Sequence, residues 1–88
     1  MTALERTIEA RGLKLLARHG LTSIKHGKNG WPDRQILLGE NEHVWWEVKA
    51  PFGRLTKAQK VRLKWLTEVV GDRVLTGTDT VLESYLEG

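Results

Sequence analysis

The stretch Gly30–Lys49, G-W-P-D-R-Q-I-L-L-G-E-N-E-H-V-W-W-E-V-K, restricts the fold more than any other part of the chain. Two apolar runs, Ile36-Leu37-Leu38 and Val44-Trp45-Trp46, flank the polar break Gly39-Glu40-Asn41-Glu42. Strand-forming residues on either side of a short break carrying Gly and Asn specify a β-hairpin, over about residues 34–49. Its open end carries Asp33 on the first strand and Glu47 and Lys49 on the second. Side chains two apart on a strand share a face, so Glu47 and Lys49 point the same way. Whether Asp33 joins them depends on register. Pairing Leu38 with His43 puts Asp33 opposite Val48, on the wrong face for Glu47. A bulge or odd-length loop that offsets the pairing by one residue brings Asp33 onto the Glu47 face. A site made from Asp33 and Glu47 therefore requires that offset, which also brings the Val48 carbonyl close.

Two carboxylates held together repel unless a cation joins them. Hard cations such as Mg²⁺ take oxygen ligands, often one or two carboxylates plus a substrate phosphate. Such an ion polarises a phosphoryl oxygen and acidifies bound water. Lys49 would then orient the attacking water or neutralise charge on the transition state. The plainer alternative is a salt bridge from Glu47 to Lys49 or Arg34, contributing about 0.2–1 kcal/mol. That pair accounts for Glu47 and Lys49, but less well for two acids and a lysine at one sheet end.

Charge distribution points to a polyanion. The net charge is only +3, yet residues 11–34 carry six Lys or Arg against one acid, and residues 49–65 carry six against none. The tail 66–88 holds five acids and one Arg. Positive charge thus brackets the hairpin, as a nucleic-acid-binding surface requires, although basic runs also serve as solvated helix faces.

The 88 residues suffice for one domain with a modest core. No cysteine is present, which excludes disulfides and thiolate metal sites and suits a reducing cytoplasm. No apolar run is long enough for a membrane span, and the start Met-Thr-Ala-Leu-Glu-Arg lacks a signal-peptide pattern. Nucleophilic catalysis is disfavoured because Ser23 and Ser84 have no nearby acid–histidine partners. A phosphate-binding loop is absent, and His19, His26 and His43 lack zinc-ligand spacing. The tryptophans suit a core, with Trp31 also placed to contact a base or a partner chain.

Thr2-Ala-Leu-Glu5 forms a capping box that starts a first helix, with Leu4, Ile8, Leu15 and Leu16 as its apolar stripe and Gly20 at its end. Gly12 inside it costs about 1 kcal/mol against Ala, which a close approach by another backbone would explain. Glu5 has a capping role. Glu9 shares a face with Leu13 and Leu16, at the margin of the stripe, where its carboxylate can project towards the sheet end. Leu21–Lys25 is a strand candidate, followed by a mobile loop, His26–Gly30, able to reach a phosphate backbone. Thr56-Lys-Ala-Gln59 is a second capping box, opening a helix to about Val70 with Ala58, Val61, Trp65, Leu66 and Val69 towards the core. Lys57, Lys60, Arg62 and Lys64 form its polar side. Gln59 either caps this helix alone or also bonds a nucleotide or water. Arg73–Thr76 is a fourth strand, and Asp79 or Thr80 caps a last helix carrying Val81, Leu82, Tyr85 and Leu86. The order α-β-β-β-α-β-α gives a small α/β sandwich, a mixed sheet flanked by helices.

Pro32-Asp33, thirteen residues, then Glu47-Val48-Lys49 resembles the P-D…(D/E)-x-K signature of the restriction-endonuclease-like superfamily. With Gly30-Trp-Pro-Asp-Arg34 before the hairpin, and Glu47-Val-Lys-Ala-Pro51 and Gly53-Arg-Leu-Thr-Lys-Ala-Gln59 after its second strand begins to close, the chain is similar to the virus-type replication-repair nuclease (VRR-NUC) domain in its short stand-alone form, from Glu9 to about Val74. The resemblance implies a restriction-endonuclease-like core and a Mg²⁺- or Mn²⁺-dependent DNA endonuclease. Asp33, Glu47, Val48 and a first-helix acid would hold the metal, that acid being Glu9 in preference to Glu5, the choice depending on how the helix aligns with the pattern. Lys49 would be the catalytic lysine, and Gln59 the glutamine near the centre. Lys25 matches a lysine on the strand before the proline–aspartate motif, a phosphate contact; Lys28, Arg34, Arg54, Lys57 and Lys60 are further candidate DNA contacts. Trp31 departs from the pattern, where smaller apolar residues are commoner. Stand-alone members look like junction resolvases of phage or bacterial cytoplasm, so branched DNA and a homodimer are the implied partners, with no membrane and no nucleotide cofactor. The alternative is a non-catalytic DNA-binding module using the same basic faces, and after it a small interaction domain.

Overall fold

The computed structural model describes residues Met1–Gly88. Helix α1 (Ala3–Arg18) precedes strands β1 (Thr22–Lys25), β2 (Arg34–Gly39) and β3 (Glu42–Val48). Helix α2 (Lys57–Trp65) continues as a π-helical segment, Leu66–Val70, and strand β4 (Val74–Gly77) leads to helix α3 (Asp79–Glu87). The sheet order is β1-β2-β3-β4, antiparallel across the first three strands and parallel between β3 and β4. The α/β order expected from the sequence is the order found. No helix is long and apolar enough to cross a membrane.

The hairpin has the one-residue offset. Arg34 pairs with Trp46, Ile36 with Val44 and Leu37 with His43, but Gly39 pairs with Glu42, leaving Leu38 as an extra residue in a bulge. Extending the register from Arg34 and Trp46 sets Asp33 level with Glu47. Residues Ile36, Val44, Trp46 and Val48 face α1 and α3, where they form one core with Ile8, Leu15, Leu16 and Leu82. Trp45 faces the other way and packs with Leu63 and Leu66 beneath α2. Strand β3 is thus covered on both faces, and the sandwich has a helix layer on each side of the sheet.

Several packing details differ from the expectation. Leu4 lies exposed, and Gly12 takes a place in the buried stripe of α1. The close neighbour at Gly12 is not a backbone: a Cβ there would overlap the indole of Trp46, which is completely buried. On α2 the core face is Leu63 and Leu66, with Leu55 alongside, while Val61 and Val69 are 64% and 71% exposed and Trp65 also reaches solvent. The indoles of Trp31 and Trp45 fill the layer between α2 and the sheet, their rings 5.6 Å apart. The Arg62 guanidinium lies over Trp31 at 4.5 Å, so a residue expected on the polar side covers the core margin. Helix α3 begins after Thr78, whose side chain makes no capping hydrogen bond.

Gly12→Ala tests the α1–Trp46 contact. Helix propensity alone favours alanine by about 1 kcal/mol, whereas overpacking a filled site costs about 1–3 kcal/mol. Urea denaturation should give a lower midpoint for the variant; a higher midpoint would show that the ring has room to move.

Candidate active site

Both capping boxes form, and both point their third residue at the same end of the sheet. In α1 the Thr2 hydroxyl accepts from the Glu5 amide, and Glu5 Oε1 accepts from the Thr2 amide at 3.0 Å. In α2 the Thr56 hydroxyl accepts from the Gln59 amide, and Gln59 Oε1 accepts from the Thr56 amide at 2.8 Å. Between these two helix starts lies a cavity of about 240 Å³ lined by Met1, Glu5, Asp33, Glu47, Val48, Lys49, Thr56 and Gln59. Two helix N-termini converging on one hollow present positive dipole ends, an environment suited to phosphate.

Asp33 sits just before β2, where buried Pro32 leads into the strand. Its Oδ2 accepts a hydrogen bond from the Val48 amide at 2.8 Å. That bond spans the hairpin mouth and fixes the carboxylate beside Glu47. Glu47 is 2% exposed. Its Oε1 accepts from Gln59 Nε2 at 3.3 Å, and its Oε2 is buried without any hydrogen-bond partner. An unpartnered buried carboxylate oxygen carries a desolvation cost of several kcal/mol, on the order of 1–3 or more. Burial pushes the Glu47 carboxyl up to about 8; the neighbouring Asp33 carboxylate pushes in the same direction, and Lys49 opposes them.

Lys49 Nζ lies 3.9 Å from Glu5 Oε2. Glu5 is held below the usual carboxylate range, chiefly by the hydrogen bond from the Thr2 backbone, with Lys49 contributing. The ion pairs of the chain include neither Asp33 nor Glu47. The simple Glu47 salt bridge, the plainer alternative from sequence, is not what the fold builds.

Glu9 is the main departure among the expected site residues. It is buried, but its carboxylate takes Arg34 Nε at 3.0 Å and Lys25 Nζ at 3.7 Å, and it does not line the cavity. The cause is strand alternation: Arg34 points to the α1 face and Asp33 to the opposite one. Glu5, four residues earlier and so about 6 Å further along the helix axis, lies beyond the sheet end and reaches the cavity. The sequence signal was present in the two Thr-x-x-(Glu/Gln) boxes. Whatever side of the site Gln59 occupies at the start of α2, Glu5 occupies at the start of α1. Gln59 both caps its helix and bonds Glu47, rather than pointing a free amide at solvent.

Among the expected DNA contacts, Arg34 is consumed inside the fold, bonded to Glu9 and to the Ser23 hydroxyl at 3.4 Å. Lys25 is largely exposed despite its long contact with Glu9. Lys28, Arg54, Lys57 and Lys60 are exposed and make no ion pair, and Arg54 borders a second hollow beside Lys49. The histidines have structural partners: His43 bonds Asp72 at 2.8 Å, His26 bonds Gln35 at 3.1 Å, and His19 meets Glu87 at 3.4 Å. Trp31 is half-buried in the α2-side aromatic group. A larger surface hollow between α1 and α3 is lined by Arg11, Lys14, Arg18, Asp79 and Glu83, with charges of both signs and no converging acids.

No cluster of three or more His, Cys, Asp or Glu side chains is arranged to hold a metal ion. The pair Asp33 and Glu47 nevertheless fits a small divalent cation: both are oxygen donors, they adjoin, and one buried oxygen lacks a partner. Two carboxylates with water and phosphate completing the shell is an ordinary Mg²⁺ arrangement. Comparison with family models, curated proteins and solved structures gives no match, so the nuclease resemblance stands on the residues quoted above.

The raised Glu47 carboxyl makes stability depend on pH. The folded state holds this proton up to about 8, while the unfolded carboxyl releases it near 4.5. Its contribution is therefore complete below pH 4.5 and is lost as pH rises towards 8. In metal-free buffer, thermal melts should show Tm falling across that window for wild type, with the slope flattened in Glu47→Gln. An equal slope in both proteins would place the titrating group elsewhere.

Proposed function

We propose that the protein is a metal-dependent DNA endonuclease with a restriction-endonuclease-like core, of the virus-type replication-repair nuclease kind. The observation that carries this reading is the buried, partnerless Oε2 of Glu47 beside Asp33, at the mouth of a cavity where two helix N-termini and Lys49 meet. A divalent cation, Mg²⁺ or Mn²⁺, would be held by Asp33 and Glu47, with the Val48 carbonyl as a further candidate, and would supply Lewis acidity to the scissile phosphate. Asp33 is locked by the Val48 amide, and Gln59 holds the other oxygen of Glu47, so the two acids are oriented before substrate arrives. Lys49 stands ready to orient the attacking water and to offset negative charge on the phosphorus oxygens. Glu5 keeps the lysine ammonium in place and is the α1 acid of the cavity; Glu9 anchors α1 to β2 through Arg34. Water adds to phosphorus and the P–O3′ ester breaks, leaving the 5′-phosphate and 3′-hydroxyl ends that the superfamily resemblance implies.

The exposed basic residues Lys57 and Lys60 lie in the first turn of α2, and Arg54 lies just before it, where they would neutralise backbone phosphates. Branched DNA is the substrate class the resemblance favours. A homodimer, which would place two such sites on opposite strands, has a candidate surface in the stripe Val61, Trp65 and Val69 along the solvent side of α2. Sedimentation velocity should show a dimer for wild type and a monomer for the Val61→Glu, Val69→Glu double variant; a monomeric wild type would remove the dimer from this account.

Purified protein incubated with four-way, flapped and linear DNA should cut in Mg²⁺ or Mn²⁺ and not in EDTA. Asp33→Asn and Lys49→Ala should each lower the rate by about 10²-fold or more, the loss seen when one electrostatic group of a site is removed. DNA binding without cleavage under any metal would favour the non-catalytic module instead.

A further inference from the structure

The turn after β3 holds the most exposed aromatic side chain of the protein beside the candidate lysine. Gly53 donates its amide to the Ala50 carbonyl at 2.9 Å, closing the four residues Ala50-Pro51-Phe52-Gly53. Proline fits the second position of such a turn, but the third requires a left-handed backbone and ordinarily takes glycine. Here the third residue is Phe52, with φ 63°, and no other non-glycine residue of the chain has a positive φ. The phenyl ring is 102% exposed and packs on nothing. Neither conformational preference nor core packing accounts for a phenylalanine at this point, since glycine would relax the backbone and sacrifice no burial.

Its surroundings are specific. A Cβ on Gly53 would meet the Ala50 carbonyl at 2.9 Å and the Lys49 Cδ at 3.5 Å, so the turn folds back tightly on the lysine stem. The backbone of Phe52 is therefore kept close to Lys49, while its ring extends into solvent. A hollow of about 270 Å³ lined by Thr2, Glu5, Lys49, Ala50, Gly53 and Arg54 opens beside the turn. Residues 49–65 contain six Lys or Arg and no acid, so the turn lies in a basic stretch of chain, with Glu5 of α1 the one acid lining the hollow beside it. An exposed π-face among basic residues suits a base whose neighbour on the stack is missing. Continuous duplex offers no such base, because its bases already stack on each other. A branch point or single-stranded segment does.

From this geometry we infer that Phe52 stacks on an unpaired or unstacked nucleobase next to the scissile phosphate at the cavity of Asp33, Glu47 and Lys49, making it a specificity-determining residue for branched or single-stranded DNA. The inference rests on the nuclease reading of that cavity. It commits to a nucleobase as occupant; an anionic lipid surface, which also attracts an aromatic among cations, is the competing outcome.

The experiment uses a four-way junction carrying 2-aminopurine at the branch nucleotides, with Asp33→Asn as the uncut background. Stacking should change the 2-aminopurine emission severalfold with Phe52 or Phe52→Trp present, and leave it unchanged with Phe52→Gly. In the otherwise wild-type chain, Phe52→Gly should melt no lower than the parent yet lose about tenfold in kcat/KM on the junction, corresponding to about 1.4 kcal/mol, with a much smaller loss on linear duplex. Equal junction cleavage and equal emission for Phe52→Gly and parent would overturn the inference while leaving the nuclease reading intact. So would Phe52-dependent binding to phosphatidylglycerol vesicles with no emission change on DNA. If the parent cuts no DNA, the nuclease reading fails, and the emission change alone decides whether Phe52 contacts a base.

Discussion

The site depends on one carboxylate pair, Asp33 beside Glu47, and that pair exists because the β2–β3 hairpin carries an extra residue. Without the bulge at Leu38 the period-two alternation of strands would send the two acids to opposite faces. The cost of burying Glu47 beside Asp33 is visible in its carboxyl, raised to about 8 chiefly by burial, and in its Oε2, which has no partner. Such a cost in the interior of a small domain is hard to reconcile with a purely architectural role. Apolar residues of similar volume would stabilise the same place better.

Everything near the pair serves to position it. The Val48 amide and the Gln59 side chain each restrain one carboxylate, and two helix starts supply a positive electrostatic environment. The adjacent indoles of Trp45 and Trp46 point to opposite faces and anchor β3 between two helix layers, so the strand that carries Glu47 and Lys49 is the most buried of the sheet. Rigid support of this kind suits a site that must hold geometry within fractions of an ångström.

Much of this was legible before any coordinates. The hairpin, both capping boxes and the strand alternation are local rules, and they predicted the elements and even the need for a register offset. The errors arose where tertiary packing chose between equally good local patterns. On α2 two apolar stripes compete, and packing against the large Trp31 and Trp45 indoles selects Leu63, beside the expected Leu66, over Val61 and Val69. On α1 the choice between Glu5 and Glu9 depended on how far the helix extends past the sheet end, which no periodicity encodes. Arg34 looked like a phosphate contact because its neighbour Asp33 belongs to the site; alternation turns it inward to Glu9. Phe52 gave no sequence signal at all, because its meaning lies in a backbone angle.

The central claim is that Asp33 and Glu47 share one divalent cation. Crystals soaked in Mn²⁺ and measured at the manganese absorption edge test it most directly. The account predicts one strong anomalous peak between the two carboxylates, at about 2.0–2.2 Å from an oxygen of each. Density that stays empty there while Mn²⁺ occupies other acidic sites would contradict it.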